Sequence, residues 1–201
     1  MESTKTNKAL LMIEFQNDWL DPTSALNPFM KDRIQFKDSI TNSKKVLAYA
    51  RKNNWHIIHA GYLFSEGYLE LGDQNSGMWG LIKQTQTFQL GSKGSEYHPD
   101  FMPRDEEFEV SGRTGVSVFS GSNLDMYLRN NNIKEIFLAG YAMHACVEST
   151  FREAHDRGYT GTVILDASAT FSKEIKENFL QNIVYAFGKQ ITTDELMSKN
   201  D

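Results

Sequence analysis

The chain has 201 residues, which suits one compact domain, residues 1–201, built around a single hydrophobic core. Its formal net charge of −5 argues against nucleic acid or an anionic membrane as a partner, because phosphate binding requires clustered Lys and Arg. The longest apolar run, Ala9 to Ile13, is too short to span a bilayer, and the polar stretch Met1 to Lys8 lacks the apolar segment of a signal peptide.

Short apolar runs alternate with amphipathic patterns along the chain. In chain order we predict a strand over 9–13, a helix over 34–54, strands over 55–61 and 107–110, a helix over 122–132, a strand over 135–140, a helix over 146–158, a strand over 161–167 and a helix over 172–188, before a short strand and turn in QITTDEL. Ser122 and Gly158 are expected to cap two of these helices. The alternation predicts an α/β fold, with a mostly parallel sheet covered on both faces.

Residues 62–105 differ from the rest of the chain because they are rich in Gly, Ser, Gln and aromatic residues and show little periodicity. A loop of this length is typical of a functional lid or a binding segment. Ligands of parallel sheets bind beyond the carboxyl ends of the strands. Three segments with unusual chemistry would lie there: IEFQNDW after the first strand, GRTGVSVF after the third and GYAMHAC after the fourth.

Cys146, in the last of these segments, is the only cysteine, so no internal disulfide can form and we expect a reduced, cytoplasmic protein. Its place at or near the first residue of the predicted helix favours the reactive thiolate. Glu14 is a candidate acceptor for the thiol proton, and Arg113 a candidate cation beside both. In the alternative interpretation Cys146 is a buried structural cysteine, Glu14 is a strand-end carboxylate whose hydrogen bonds are satisfied, and Arg113 is a surface charge. The spacing of these residues in the sequence does not decide between the two interpretations.

Several of these segments resemble the isochorismatase-like cysteine hydrolases. ALLMIEFQNDWL resembles the opening of the family, GYAMHACVESTFREAHDRGY its cysteine segment, and GVSVFSGSNLDMYLRNNNIKEIFLAG the segment before it. The resemblance runs from about residue 8 to residue 197. It implies a three-layer α/β/α fold with a central, mainly parallel six-stranded sheet, and hydrolysis of a small molecule.

The resemblance also implies a catalytic triad of Asp, Lys and Cys. The Cys attacks a carbonyl, the Asp takes the thiol proton and passes it to the leaving amine, and water then releases the acid. The position of the family Cys matches Cys146. The resemblance further implies a cis peptide bond between Tyr141 and Ala142, which would aim the N–H groups of Ala142 and Cys146 at the oxyanion.

The other two triad positions depart from the family, since Glu14 stands at the Asp position and Arg113 at the Lys position. Both keep their charge, but Arg cannot shuttle a proton. A paired replacement, with an Arg–Glu contact in place of Lys–Asp, would explain both changes. In order of preference, the chain is an active enzyme with a variant triad, a slow enzyme, or a binding protein on the same scaffold. Asp18 is a possible substitute base, although the family suggests a structural role.

The predicted pocket is aromatic, and its candidate substrate-binding residues are Tyr141, Trp79, Phe119, Trp19, His144 and Tyr62, with Phe15 nearby. Core packing is the alternative for each of these aromatic residues, above all for Phe119 and Phe15. Nicotinamidases of the family bind a metal through Asp and His residues after the second strand. Only His59 remains there, so we predict no metal, no cofactor and no nicotinamidase activity. The resemblance implies a homodimer or homotetramer.

The leading interpretation is a cysteine hydrolase that cleaves a C–N bond of a small amide or carbamoyl compound through a thioester. One alternative is an isochorismatase-type hydrolase of a vinyl ether, with Glu14 as the general acid. The other is a non-catalytic binding protein on the same scaffold. Replacing Cys146 by Ala separates the first two, because ether cleavage does not require the thiol.

Overall fold

The computed structural model describes residues 5–198, and a six-stranded parallel sheet forms the centre of this part of the chain. The strands are β1 Lys8–Ile13, β2 His56–Ala60, β3 Phe108–Glu109, β4 Glu135–Gly140, β5 Thr160–Ser168 and β6 Lys189–Ile191. They lie in the order β3-β2-β1-β4-β5-β6, and every neighbouring pair is parallel. The structure thus confirms the predicted α/β fold with its six-stranded sheet.

Helices cover both faces of this sheet. They are α1 Asn17–Leu20, α2 Arg33–Lys52, α3 Gly77–Thr85, α4 Leu124–Asn130, α5 Glu148–Asp156, α6 Lys173–Asn182, α7 Val184–Phe187 and α8 Thr193–Ser198. The connection through α2 runs from β1 to β2, whereas that through α5 runs from β4 to β5 in the opposite direction across the sheet. Right-handed crossovers therefore place α2 and α5 on opposite faces. None of the helices within residues 5–198 is both long and apolar enough to cross a bilayer.

The central strands end level with one another, and this positions the site. Ile13 at the end of β1 lies opposite Ala60 of β2 and Gly140 of β4. β1 is buried on both faces, which explains its unbroken apolar run. β3 ends at the same edge, since its last residue, Glu109, lies opposite His59 of β2. The segments that follow β1, β3 and β4 therefore all begin at the carboxyl edge of the sheet, as the sequence predicts for its three unusual segments.

Residues 62–105 contain more regular structure than their weak periodicity indicates. They form α3 and two short 3₁₀ helices, Glu66–Leu71 and Pro99–Phe101. In α3 only Ile82 is buried, so the helix carries too narrow an apolar stripe to be recognised from its sequence. The segment is tied to the body of the domain by an isolated bridge between Gln16 and Tyr97. Its role as a lid stays a prediction.

Of three predicted helices, one begins later than expected, one ends as expected and one is divided in two. The helix expected from Ser122 begins at Leu124, so Asn123 and not Ser122 is its N-cap residue. The Ser122 hydroxyl nevertheless accepts the Leu124 N–H at 3.2 Å. Gly158 ends the helix of the cysteine segment as predicted, with a positive φ of 84° and an N–H bonded to His155 O at 2.9 Å. The helix predicted over 172–188 is divided at Ile183 into α6 and α7.

Candidate active site

Glu14, Arg113 and Cys146 come together at the carboxyl edge of the sheet. All three are buried, with 1%, 6% and 1% of their surfaces exposed. Each comes from one of the three segments that the sequence singles out. The structure therefore brings together a carboxylate, a guanidinium and the single thiol, as the sequence predicts.

Glu14 directly follows β1 and adopts a left-handed backbone conformation with a φ of 57°, which is uncommon for a residue with a side chain. Its N–H donates to Ala60 O at 2.9 Å and so continues the hydrogen bonding between β1 and β2 by one residue. The carboxylate oxygen Oε2 accepts the indole N–H of Trp19 at 2.9 Å. Strain at a buried ionisable residue is typical of a functional site.

The second carboxylate oxygen of Glu14, Oε1, lies 2.9 Å from Nη2 of Arg113. Within the described residues no donor points directly at Oε1, so this contact is an ion pair with poor hydrogen-bond direction. The guanidinium is held by two carbonyls, since Nε donates to Gly115 O at 3.1 Å and Nη2 to Val116 O at 2.6 Å. Burial acts against its charge, but the negative charge of Glu14 and its contact with the guanidinium favour the charged form, and the pKa of Arg113 is raised. Arg113 is therefore a permanent cation.

Cys146 lies in a helical segment that begins earlier than predicted. A π-helical turn, Met143–Val147, leads directly into α5, so Cys146 is its fourth residue rather than its first. Burial raises the pKa of the Cys146 thiol, the negative charge of Glu14 raises it further, and Arg113 lowers it. Burial and the charge of Glu14 thus outweigh the stabilisation of the thiolate that a helix N-terminus would give. The resting thiol is protonated and needs a base, and the neighbouring carboxylate is Glu14.

The chain before Cys146 makes a tight turn out of β4. The peptide bond between Tyr141 and Ala142 is cis. The Tyr141 N–H donates to Ile13 O at 3.1 Å, and the Met143 N–H donates to Ala169 O at 2.7 Å. These bonds anchor the turn to the ends of β1 and β5. At the other end of the segment, Thr150 donates its hydroxyl to Cys146 O at 2.7 Å, which fixes the backbone of the cysteine.

Two of the predicted pocket residues, Trp19 and Tyr62, contact this cluster, and two more, Trp79 and His144, pack against aromatic rings next to it. Trp19 donates to Glu14, and Tyr62 accepts a hydrogen bond from the Cys146 thiol at 3.8 Å. Trp79, half-buried in α3, packs edge-on against Tyr62 at 6.1 Å between ring centres. His144 lies 4.5 Å from the ring of Phe171, which also packs against Trp19. Burial lowers the pKa of His144, and its Nδ1 has no hydrogen-bond partner among the described residues.

Tyr141, predicted to contact substrate, instead packs in the core. Its ring lies 5.1 Å from Phe15 and 5.4 Å from Phe36, and its hydroxyl is 3.1 Å from Ser39 Oγ of α2. The backbone of Tyr141 lies in the turn with the cis peptide bond, next to the site. The side chain of Tyr141 points away from the site and packs between the sheet and α2. Phe15 belongs to the same core cluster, next to Phe101.

Phe119 also lies away from the cluster. Its ring stacks on Tyr159 at 5.7 Å, and Tyr159 immediately precedes β5. The start of a parallel strand is at the opposite edge of the sheet from its carboxyl end. Phe119 therefore fills the packing space beside α5 instead of lining the site, so its predicted contact with substrate does not agree with the structure.

Asp18 is a structural anchor. Its Oδ2 accepts the Phe88 N–H at 2.6 Å, and its own N–H donates to Gly94 O at 2.8 Å, so it holds two parts of the 62–105 segment. Burial raises the pKa of Asp18, and the hydrogen bond from Phe88 lowers it, with a net rise. These contacts explain the presence of a buried aspartate at position 18, and none of them requires Asp18 to act as the base.

His59, left as the only histidine of the metal-binding pattern, bonds to a carboxylate instead. Its Nε2 lies 2.8 Å from Glu107, which also pairs with Arg51 at 2.6 Å. Among residues 5–198, no group of three His, Cys, Asp or Glu side chains is arranged to hold a metal ion.

Gln16 positions Tyr62, a role that the sequence pattern does not predict. Its side-chain amide accepts the Tyr62 N–H at 2.9 Å and donates to Tyr62 O at 2.8 Å and Ser95 O at 2.7 Å. A Cβ at Gly61 would lie 2.8 Å from this amide, so a larger residue there would have to displace the Gln16 side chain. The sequence offers one signal for this role, a polar residue three positions beyond Ile13, the end of a buried strand.

A family model of the isochorismatase domain matches residues 8–195. The isochorismatase family protein YwoC of Bacillus subtilis is 32% identical over 160 residues, which cover 80% of this chain and 82% of that protein. Ureidoacrylate amidohydrolase RutB of Caulobacter vibrioides is 28% identical over 198 residues, covering 92% and 87%. The crystal structure of N-carbamoylsarcosine amidase from Thermoplasma acidophilum shares the fold, with a TM-score of 0.73, 23% identity and coverage of 94% and 98%. The chain belongs to the isochorismatase family.

Proposed function

We propose that this protein is a cysteine hydrolase that cleaves a C–N bond in a small amide or carbamoyl compound. The observation that carries the proposal is the buried Glu14–Arg113 ion pair beside the only thiol of the chain. Burying two charges is unfavourable unless they are paired, and such groups cluster where chemistry requires them. In this proposal Cys146 is the nucleophile, Glu14 the general base and then acid, and Arg113 the electrostatic partner.

The first half of the reaction begins with transfer of the thiol proton of Cys146 to the Glu14 carboxylate. The thiolate forms a bond to the carbonyl carbon, and the carbonyl electron pair moves onto oxygen. When this tetrahedral intermediate collapses, the C–N bond breaks and Glu14 returns its proton to the leaving nitrogen. The products of this half are a free amine or ammonia and a thioester on Cys146.

The second half releases the acid. Glu14 takes a proton from a water molecule, the hydroxide attacks the thioester carbonyl, and the C–S bond breaks. The thiolate of Cys146 then recovers the proton from Glu14, so the enzyme returns to its starting state. One water is consumed for each C–N bond cleaved.

The charge of the cluster stays constant throughout, which supports the use of Arg in place of Lys. At rest the Glu14 carboxylate neutralises Arg113. Once Glu14 is protonated, the guanidinium loses its counter-charge and stabilises the thiolate instead. This role requires a fixed cation and no proton transfer, and a guanidinium fulfils it. We further propose that the N–H groups of Ala142 and Cys146 stabilise the oxyanion, and that Trp79, Tyr62, Trp19 and His144 contact the substrate.

The names of the relatives support this reaction class. The RutB relative is called a ureidoacrylate amidohydrolase, and one structural neighbour is called an N-carbamoylsarcosine amidase. Both names describe cleavage of a C–N bond in a small molecule. The fold, the matching segments and the buried cluster give this chain the parts for a reaction of the same class.

The test is hydrolysis by the wild-type protein and by Cys146→Ala. Ammonia or amine release is measured on ureidoacrylate, N-carbamoylsarcosine and simple primary amides. Isochorismate is the vinyl ether substrate, and its cleavage is measured by release of pyruvate. We expect turnover of a carbamoyl or amide compound, lost by about 10³-fold or more in a folded Cys146→Ala protein. Ether cleavage that survives Cys146→Ala would support the alternative activity. A folded wild-type protein that binds these compounds without turnover would overturn the proposal.

A further inference from the structure

Tyr62 is held more firmly than a residue that only lines a pocket. Its backbone N–H and C=O are both bonded to the side-chain amide of Gln16. Its ring stacks on Phe64 at 5.3 Å and packs against Phe88 at 5.5 Å and Trp79 at 6.1 Å. The side chain is fully buried. With backbone and ring fixed on all these sides, the hydroxyl has a set position beside the Cys146 sulfur.

The hydroxyl of Tyr62 has one hydrogen and two possible acceptors near it. It donates this hydrogen to Gly115 O at 2.9 Å and accepts the weak hydrogen bond of the Cys146 thiol at 3.8 Å. A hydroxyl that only accepts from sulfur stabilises the neutral thiol. Gly115 O also accepts from Nε of Arg113 at 3.1 Å. The carbonyl therefore keeps a donor even when the Tyr62 hydrogen turns away.

We propose that Tyr62 is a switchable hydrogen-bond partner of the nucleophile, accepting from the Cys146 thiol at rest and donating to its thiolate once Glu14 has taken the proton. The inference rests on the proposed function. Only the thiol proton is transferred, from sulfur to the carboxylate, and Tyr62 keeps its own hydrogen, which rotates about the C–O bond. The exchange is favourable because a hydrogen bond to an anion is roughly twice as strong as one between neutral groups.

The surroundings of Tyr62 keep it in the donating form. The charged and titratable groups that face it are Cys146, Arg113 and Glu14. Burial raises the pKa of Tyr62 well above its ordinary value, and although Arg113 lowers it, the hydroxyl does not ionise at working pH. The Arg113 guanidinium lies 3.7 Å above the ring centre. A cation in this position draws electron density from the ring and makes the O–H a stronger donor.

The test removes the hydroxyl and keeps the ring. In Tyr62→Phe, the pKa of Cys146 should rise by about one unit or more, because a hydrogen bond to the thiolate is lost. The pKa is read from the ultraviolet absorption of the thiolate across pH, with Cys146→Ala as the baseline, so reagent access does not affect it. Alkylation by iodoacetamide at a fixed pH below the pKa should slow by about tenfold.

Tyr68→Phe is the matched control. Tyr68 is another buried tyrosine of the same segment, its ring lies 6.0 Å from Phe64, and its hydroxyl donates to the backbone carbonyl of Thr87 at 2.9 Å. Its replacement removes a similar hydrogen bond but leaves the thiol untouched, so the Cys146 pKa should stay at the wild-type value. An equal rise in both variants would indicate a general loss of packing and overturn the inference.

A vibrational measurement on the wild-type protein keeps the inference testable even if Tyr62→Phe does not fold. The single cysteine gives a single S–H stretching band, which lies at lower frequency when the thiol donates a hydrogen bond. We expect a lowered band in the wild type and a higher one in Tyr62→Phe. A wild-type band at the frequency of a free thiol would refute the inference, as would equal Cys146 pKa values in folded wild type and Tyr62→Phe. Neither result touches the hydrolysis test with Cys146→Ala, so the two claims fail separately.

Discussion

Replacing Glu14 by Gln should destabilise the protein, because it leaves the guanidinium of Arg113 buried without a counter-charge. The charged atoms are 2.9 Å apart, and only 1% and 2% of the two side chains are exposed. Two unit charges at this distance attract by about 6 kcal/mol at an effective dielectric constant of about 20. Desolvation costs several kcal/mol for each buried ion and offsets this attraction. The pair as a whole therefore contributes little net free energy to stability. Removal of one partner alone should cost about 3–5 kcal/mol.

A double-mutant cycle measures this coupling. Glu14→Gln, Arg113→Met and the double variant are unfolded with urea, and the fluorescence of the three tryptophans reports the transition. We expect the double variant to lose far less stability than the sum of the single losses. The exposed pair Lys173–Glu177, 3.8 Å apart, serves as the control and should show coupling below about 1 kcal/mol. Single losses at Glu14 and Arg113 below about 1 kcal/mol that simply add would refute the reasoning.

Two further predictions concern the pH dependence of stability and the access of an alkylating reagent to Cys146. The pKa of Glu107 is lowered to about 2, since its bonds to Arg51 and His59 outweigh burial. Because this folded-state pKa is below the ordinary value of 4.5, Glu107→Gln should be less stable near neutral pH. The difference should shrink as the pH falls from about 4.5 to about 2, and a difference that is constant in urea unfolding would contradict this. Trp79→Ala should speed alkylation of Cys146 at every pH, because removal of the indole opens a path for the reagent to the thiol. The midpoint of the plot of rate against pH should stay the same, because the acidity of the thiol does not change. An unchanged rate would argue against Trp79 as a cover over the thiol.

The sequence predicts the fold and the composition of the central cluster because both depend on local patterns. Apolar runs and amphipathic stretches alternate regularly, and this indicates a parallel sheet with helices on its faces. Parallel strands share one carboxyl edge, so Glu14, Arg113 and Cys146 are expected to meet whatever the details of the loops. The family resemblance adds the proposed role of the cysteine.

The remaining features depend on contacts that no local pattern encodes. Tyr141 and Trp79 are both aromatic residues near the expected site. Only the three-dimensional path of the chain packs the first against Phe15 in the core and the second against Tyr62. The contact of Tyr62 with Cys146 joins residues 84 positions apart. The direction of the thiol pKa shift depends on burial, which outweighs the helix terminus that the sequence suggests. The predicted homodimer or homotetramer likewise stays a prediction, to be measured by sedimentation.

The most direct test of the central claim is the pH dependence of Cys146 alkylation by iodoacetamide in wild type and in folded Glu14→Gln protein. The chain has one thiol, so the signal has one source. Glu14 raises the pKa of that thiol and Arg113 lowers it. Glu14→Gln leaves only the lowering charge, so its profile should shift to lower pH and alkylation near neutral pH should become faster, while hydrolysis is lost with the base. Identical profiles in the two proteins would show that Glu14 is not coupled to the thiol and would contradict the account.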